Sequence, residues 1–148
     1  MIIRRVHEQD YEQWYRLRLA LWPDASQPED EQDMREYMSS DRMAAFVAEA
    51  EDGRLIGFLE ANIRDYAEGC RSLHIGYIEG WYVDEEHRRH GVGAALVTEA
   101  EGWALSKGCV EMASDCLLDN DVSLAAHTAL GFEEVERLIH FIKQLQEV

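Results

Sequence analysis

The stretch from Tyr77 to Ala104 sets the strongest limit on how this chain folds. Tyr77-Ile78-Glu79-Gly80-Trp81-Tyr82-Val83 is aromatic and β-branched enough to be a strand. A charged turn follows, Asp84 to Ala94, carrying Arg88-x-x-Gly91-x-Gly93. Beyond it Val92, Leu96, Ala100 and Trp103 recur on one side of a helix. A strand feeding a glycine-bearing turn at a helix start presents unpaired N–H groups and the positive end of the helix dipole, an arrangement that binds anions and diphosphates in particular. Gly91 and Gly93 lack the side chains that would keep a phosphate off the backbone. The spacing is not that of the dinucleotide fingerprint Gly-x-Gly-x-x-Gly, and no Gly-x-x-x-x-Gly-Lys-Ser/Thr loop is present.

The remaining sequence is expected to build one α+β domain over residues 1–148, with a mixed, mostly antiparallel sheet flanked by helices. Ile2–Val6 reads as a strand and Glu8–Leu21 as a helix, with Tyr11, Trp14, Tyr15, Arg18 and Leu21 along one stripe. Trp22-Pro23 ends that helix. Ser26–Ser40 reads as an acidic helix with Pro28 inside its first turn. Ala44–Glu51 and Arg54–Arg64 read as a hairpin closed by a two-residue Asp52-Gly53 turn. The long helix stops at Lys107-Gly108. Cys109–Asp115 reads as a strand, Asp119 or Asn120 caps a short helix to Leu130, and Phe132–Leu145 is a final extended stretch.

Composition narrows the partners. Thirty acidic against fourteen basic residues leave a net charge of −16. Such a surface repels nucleic acid and anionic membranes and attracts cations. No apolar run reaches the roughly 20 residues that cross a bilayer, and the charged N-terminus is not a signal peptide, so a cytoplasmic protein is expected. Three cysteines, Cys70, Cys109 and Cys116, form no Cys-x-x-Cys pair, and the six histidines are scattered. Neither a disulfide framework nor a metal site is expected.

The order of these pieces resembles the GCN5-related N-acetyltransferase (GNAT) superfamily, whose pyrophosphate loop has the form Arg/Gln-x-x-Gly-x-Gly/Ala. Five further segments are similar to the aminoglycoside 6′-N-acetyltransferases: Leu21-Trp22-Pro23, Glu60–Tyr66, Ile78–Val83, Glu111–Asp115 and His127-x-x-Leu130-Gly131-Phe132. The resemblance spans nearly the whole chain, with residues 24–40 and the last few matching least. It implies splayed central strands that hold acetyl-CoA as co-substrate, with Trp81, Tyr82 and Val83 offering backbone groups to the pantetheine arm. An N–H there would stabilise the oxyanion formed at the thioester carbonyl. Arg88, Arg89, His90, Gly91, Val92, Gly93 and Ala94 would hold the pyrophosphate. Asn120 matches a further cofactor-contacting position.

The same resemblance places Glu79, Asp115, Trp22, Tyr66 and Glu136 in the aminoglycoside pocket. Carboxylates suit a substrate bearing several ammonium groups, and a sugar ring can lie on an aromatic face. Loss of the ammonium proton needs a base, for which Glu79 and Asp115 are the candidates, directly or through water. No cysteine is placed as an acyl carrier, so direct attack in a ternary complex is expected. Acetylation of the 6′-amine would confer antibiotic resistance. Two other readings stay open: a polyamine or other small amine as acceptor, and an acyl-CoA-binding module without chemistry. The superfamily's acid tyrosine is replaced by His127, which is expected to be dispensable. Relatives of this kind are often homodimers, and Phe132–Leu145, with apolar residues on both faces, is the expected dimer stretch.

Overall fold

In a computed structural model describing residues 1–147, the chain forms two compact units, divided between Asp115 and Cys116. The first holds a five-stranded sheet in sequential order, β1 (Ile2–Arg5), β2 (Met43–Glu49), β3 (Leu55–Arg64), β4 (Ile75–Val83) and β5 (Met112–Ser114). All neighbours run antiparallel except β4 and β5, which are parallel. Its helices are α1 (Tyr11–Leu21), α2 (Gln27–Ser39) and α3 (Val92–Ser106).

The sheet is covered on both faces, and adjacent residues of β3 show it. Phe58 is fully buried in a cluster with Trp14 and Leu17 of α1 and Met34 and Tyr37 of α2. At Gly57 a Cβ atom would lie 3.3 Å from Leu96 of α3, on the opposite face. Side chains of a strand alternate between faces, so α1 and α2 cover one side and α3 the other. A strand covered twice should be apolar throughout, and β3 is so from Leu55 to Leu59, with Glu60, Asn62 and Arg64 as the polar residues of its second half.

Glu60 is 1% exposed. Arg18 Nη1 donates to both its oxygens at 2.5 Å, and Trp14 Nε1 donates at 2.9 Å. Arg18 Nε also donates to Asp30 Oδ1 at 3.1 Å, so one cation joins α1, α2 and β3. Burial pushes the Glu60 carboxyl up to about 7, against the pull of Arg18. For Arg18, burial works against the charge, but Glu60 and Asp30 outweigh it and hold the guanidinium above its ordinary value.

Local signals set most boundaries. Ser26 Oγ accepts from the Glu29 N–H and opens α2, as an N-cap serine should. Glu8–Asp10 is a 3₁₀ turn, so the first α-helix begins at Tyr11 rather than Glu8. The hairpin loop is longer than the expected two residues. Ala50 and Arg54 close it around Glu51-Asp52-Gly53, with Gly53 at φ +86°, the left-handed position of a three-residue turn. The strand expected over Cys109–Asp115 shrinks to Met112–Ser114, which pairs with Gly76–Ile78 alone. Among the described residues, β4 from Gly80 to Val83 therefore has a ladder partner only on its β3 side.

In the second unit Asn120 Oδ1 accepts from the Ser123 N–H and starts α4 (Asp121–Ala129). Gly131, at φ +91°, follows its end. The final stretch expected to be extended, 132–145, belongs to no sheet. A lone strand cannot satisfy its backbone without a neighbour, and α4 is the only regular element described in that unit.

Candidate functional site

The loop between β4 and α3 has the conformation that its glycines allow. Arg89 and Gly91 take positive φ, 66° and 82°. Left-handed residues interleaved with ordinary ones turn successive N–H groups to one side, making a concavity for anions. It leads into α3, whose first turn carries no acid. The N–H groups of Val92, Gly93 and Ala94 lie in that turn, where intrahelical acceptors are missing. Arg88 points back to the strand, donating from Nε to Val83 O at 2.8 Å, with its guanidinium 5.5 Å from the Tyr82 ring. Gly93 has a packing role too, since a Cβ there would sit 3.2 Å from the Trp81 ring.

On the same strand β3 and β4 fall out of step: Glu60 opposes Gly80 and Ala61 opposes Ile78, leaving Glu79 as the extra residue of a β-bulge. A bulge bends the strand and re-aims a side chain. Arg64, at the end of β3, meets Glu79 with Nε at 2.8 Å from Oε1 and Nη2 at 2.9 Å from Oε2. The same guanidinium lies 3.5 Å from the centroid of Tyr77, whose hydroxyl donates to Asp115 Oδ2 at 2.5 Å. Burial raises the Glu79 carboxyl and Arg64 lowers it, with a net rise. Burial and the Asp115 carboxylate raise the Tyr77 phenol, which stays protonated and serves as the donor.

Trp22 follows α1, and the edge of its indole abuts β4 at Gly80. An added Cβ at Gly80 would come within 2.4 Å of the Trp22 ring, so only glycine fits. Phe58 meets the indole edge-on, and Arg18 lies 5.0 Å from its centroid. Trp22, Glu79 and Asp115 are thus fixed along β4 and β5, and exposed Tyr66 follows two residues after Arg64. Glu111 is engaged elsewhere, its carboxylate accepting from the Arg71 and Ser72 N–H groups and the Ser72 hydroxyl and so pinning the loop ahead of β4. No group of three or more His, Cys, Asp or Glu side chains among the described residues could hold a metal ion.

The sequence pattern of the acetyltransferase (GNAT) family matches residues 11–132. This chain belongs to that family. An aminoglycoside N(6′)-acetyltransferase type 1 of Klebsiella aerogenes is 43% identical over 147 residues, covering 97% of each chain. Among solved structures, AAC(6′)-Iy in complex with the bisubstrate analog CoA-S-monomethyl-acetylneamine superposes with a TM-score of 0.91 at 39% identity, covering 97% of each chain. The apo 6′-N-acetyltransferase AAC(6′)-IG of Acinetobacter haemolyticus gives 0.90 at 36% identity, over 99% of this chain and 100% of that one.

Three of the residues singled out by the GNAT resemblance lie in the second unit. Asn120 caps α4 with its side-chain oxygen. Glu136 is exposed in the stretch that lacks regular structure. His127 has Nδ1 2.7 Å from Ser123 O and its ring edge-on to Phe132, with centroids 5.3 Å apart. A carbonyl can only accept, so Nδ1 carries a proton and donates it to Ser123 O, which with Phe132 gives the ring a packing role. His127→Ala is accordingly expected to change kcat/KM with saturating acetyl-CoA by less than about tenfold, against the 10²–10⁴-fold of a working general acid. A fall beyond a hundredfold, restored by His127→Tyr with an unchanged melt, would assign it the acid role.

Sequence reasoning missed Arg64 and Tyr77. Arg64 stands inside one of the five family-like segments, yet its partner is fifteen residues away on the next strand. The signal was a cation beside two acids in a run otherwise fit for a covered strand.

Proposed function

We propose that this chain transfers the acetyl group of acetyl-CoA to the 6′-amine of aminoglycoside antibiotics, in the cytoplasm, and so confers resistance. The observation that carries this reading is the adjacency along one strand. β4 runs from the contacts of Trp22, Glu79 and Asp115, through a half paired on one side only, into the anion-suited start of α3. The names of the relatives at about 40% identity favour an aminoglycoside over other amines. The family match crosses the division after Asp115, which supports reading residues 1–148 as one catalytic domain.

In this reading the loop from Arg88 to Ala94 holds the pyrophosphate, Asn120 touches the cofactor, and Trp81–Val83 pair with the pantetheine arm. Bound acetyl-CoA supplies the activated acetyl thioester. Trp22 and Tyr66 offer faces to sugar rings, and Glu79, Asp115 and Glu136 accept from ammonium groups. Asp115 is the better-placed base: one oxygen holds the Tyr77 hydroxyl, leaving the other for a proton directly or through water, whereas Arg64 occupies both oxygens of Glu79. The neutral amine attacks the acetyl carbon within a ternary complex. The C–N bond forms as charge moves onto the carbonyl oxygen. The oxyanion then collapses, the extra proton on nitrogen passes to water, and the C–S bond breaks. The thiolate released, with an ordinary thiol pKa of about 8.5, leaves near neutral pH without a dedicated acid.

Release of CoA from acetyl-CoA with kanamycin, tobramycin, spermidine and a lysine peptide tests the acceptor class. Turnover with the first two alone is expected, and a preference for spermidine would move the protein to the polyamine reading. Glu79→Gln and Asp115→Asn are each expected to lower acceptor kcat/KM by about tenfold or more, the scale of a charged hydrogen bond, with acetyl-CoA affinity nearly unchanged. Unaltered acceptor kinetics in both variants would mean the pocket lies elsewhere.

A homodimer is part of this proposal. Phe141 and Ile142 are 92% and 97% exposed in a stretch with no strand partner, and a second copy about a twofold axis would cover them. Light scattering at micromolar concentration is expected to give twice the chain mass of 17.1 kDa, and a monomer would overturn the dimer.

A further inference from the structure

Arg64 is a cation placed among the side chains proposed to bind a substrate that is itself cationic. A pocket built only for charge attraction would leave its carboxylates free for the ligand. Instead both nitrogens on one edge of the guanidinium are committed to Glu79, at 2.8 and 2.9 Å. The guanidinium plane is seated on the Tyr77 ring at 3.5 Å, and that ring's hydroxyl holds Asp115 at 2.5 Å. Four side chains from β3, β4 and the end of β5 thus make one chain of contacts, carboxylate to guanidinium to phenol to carboxylate. Planar two-point pairing and stacking are what arginine supplies and lysine does not.

We propose that Arg64 is a positioning residue for the acceptor: seated on Tyr77, it fixes the Glu79 carboxylate in orientation and links it to Asp115, so that the two acids present one rigid pair to the substrate's ammonium groups. This rests on the acetyltransferase reading of the pocket. The pair is unequal. Glu79 carries its own cation, whereas Asp115 accepts from a neutral phenol, and among the described residues no ion pair includes it. The charges of Glu79, Asp115 and Arg64 sum to −1, so Arg64 offsets half of the negative charge that the two acids carry. The groups facing Glu79 are Arg64 on β3, Tyr77 beside it, Asp115 after β5 and Tyr37 of α2, whose buried phenol is neutral. Arg64 is therefore the only one that favours its ionised form, since a nearby positive charge lowers a carboxyl's pKa and burial raises it.

Two readouts on the full-length protein test this. In the first, the Glu79 side-chain carboxyl is followed by ¹³C NMR through a pH titration without acceptor, in wild type, Arg64→Leu and Arg64→Lys. Its midpoint is expected to rise by at least one pH unit in Arg64→Leu and to be restored only in part by lysine. An unmoved midpoint in a folded Arg64→Leu overturns the proposal whatever the protein's substrate. The second is a cycle of Arg64→Leu, Glu79→Gln and their double variant, read as acceptor KM and kcat. Each single change is expected to lower acceptor kcat/KM about tenfold with acetyl-CoA KM unaltered, and the double variant should fall no further than the worse single. Fully additive losses, or equal losses for both substrates, also overturn it. If the wild type acetylates no aminoglycoside, the acetyltransferase reading fails, and the titration still decides what Arg64 does to Glu79.

Discussion

Replacing Arg18 by methionine is expected to cost about 3–5 kcal/mol of stability, the usual penalty for removing one partner of a buried ion pair. Arg18 bridges Glu60 and Asp30, 1% and 2% exposed, and without it both acids stay buried with no cation. The methionine fills much of the arginine's volume, so the loss reports charge more than a cavity. For a chain of this size the melting temperature should fall on the order of 10 °C. The pH dependence has a definite sign. The folded Glu60 pKa, about 7, lies above its unfolded value of 4.5. Between those values the folded state holds more protons, so this contribution to stability is present at low pH and is lost as pH rises through the folded pKa. Without Arg18 the carboxyl rises further. Melts at pH 5.5 and pH 8 should show a smaller deficit at the lower pH, and equal melts of variant and wild type at both would refute this role for Arg18.

Gly93→Val should nearly abolish acetyl-CoA binding. The new side chain projects from the first turn of α3, where N–H groups lacking intrahelical acceptors would meet the pyrophosphate. Its Cβ also starts 3.2 Å from the Trp81 ring, so that indole must move, and Trp81 belongs to the strand proposed to pair with the pantetheine arm. Losing about two charge-assisted hydrogen bonds amounts to roughly 3 kcal/mol, or about a hundredfold in Kd. Calorimetric titration with acetyl-CoA measures it directly. Wild-type affinity in a folded variant would remove the loop from the cofactor site.

Much of this architecture is local chemistry and could be read from residue order. Ser26 and Asn120 cap helices because their side-chain oxygens reach the N–H three residues on. Gly108, at φ +87°, ends α3 because glycine tolerates the left-handed turn. The strand, loop and helix from Tyr77 onward follow from β-branched and aromatic residues, then glycines, then a four-residue apolar period. What escaped was set by pairing at a distance. The hairpin loop gained a residue because its length depends on the β2–β3 register, which shifts between Ala48 and Glu49. The bulge at Glu79 exists only when β4 meets β3. Arg18 stood in the apolar stripe of α1 and Glu60 in a run of buried strand residues. Each was an anomaly in its own segment, and each explains the other across 42 positions. The 132–145 stretch has the apolar content of a strand, but no described strand pairs with it to make it one.

The proposed chemistry is specific: an acetyl group passes to one particular amine. The most direct measurement offers wild-type protein and acetyl-CoA two aminoglycosides that differ only at the 6′ position, one bearing an amine and the other a hydroxyl, and determines the product by mass spectrometry and NMR. A single acetyl group, as an amide on the 6′ nitrogen of the first, is expected, with no turnover of the second. Acetylation at any other position, or equal turnover of both, would contradict it.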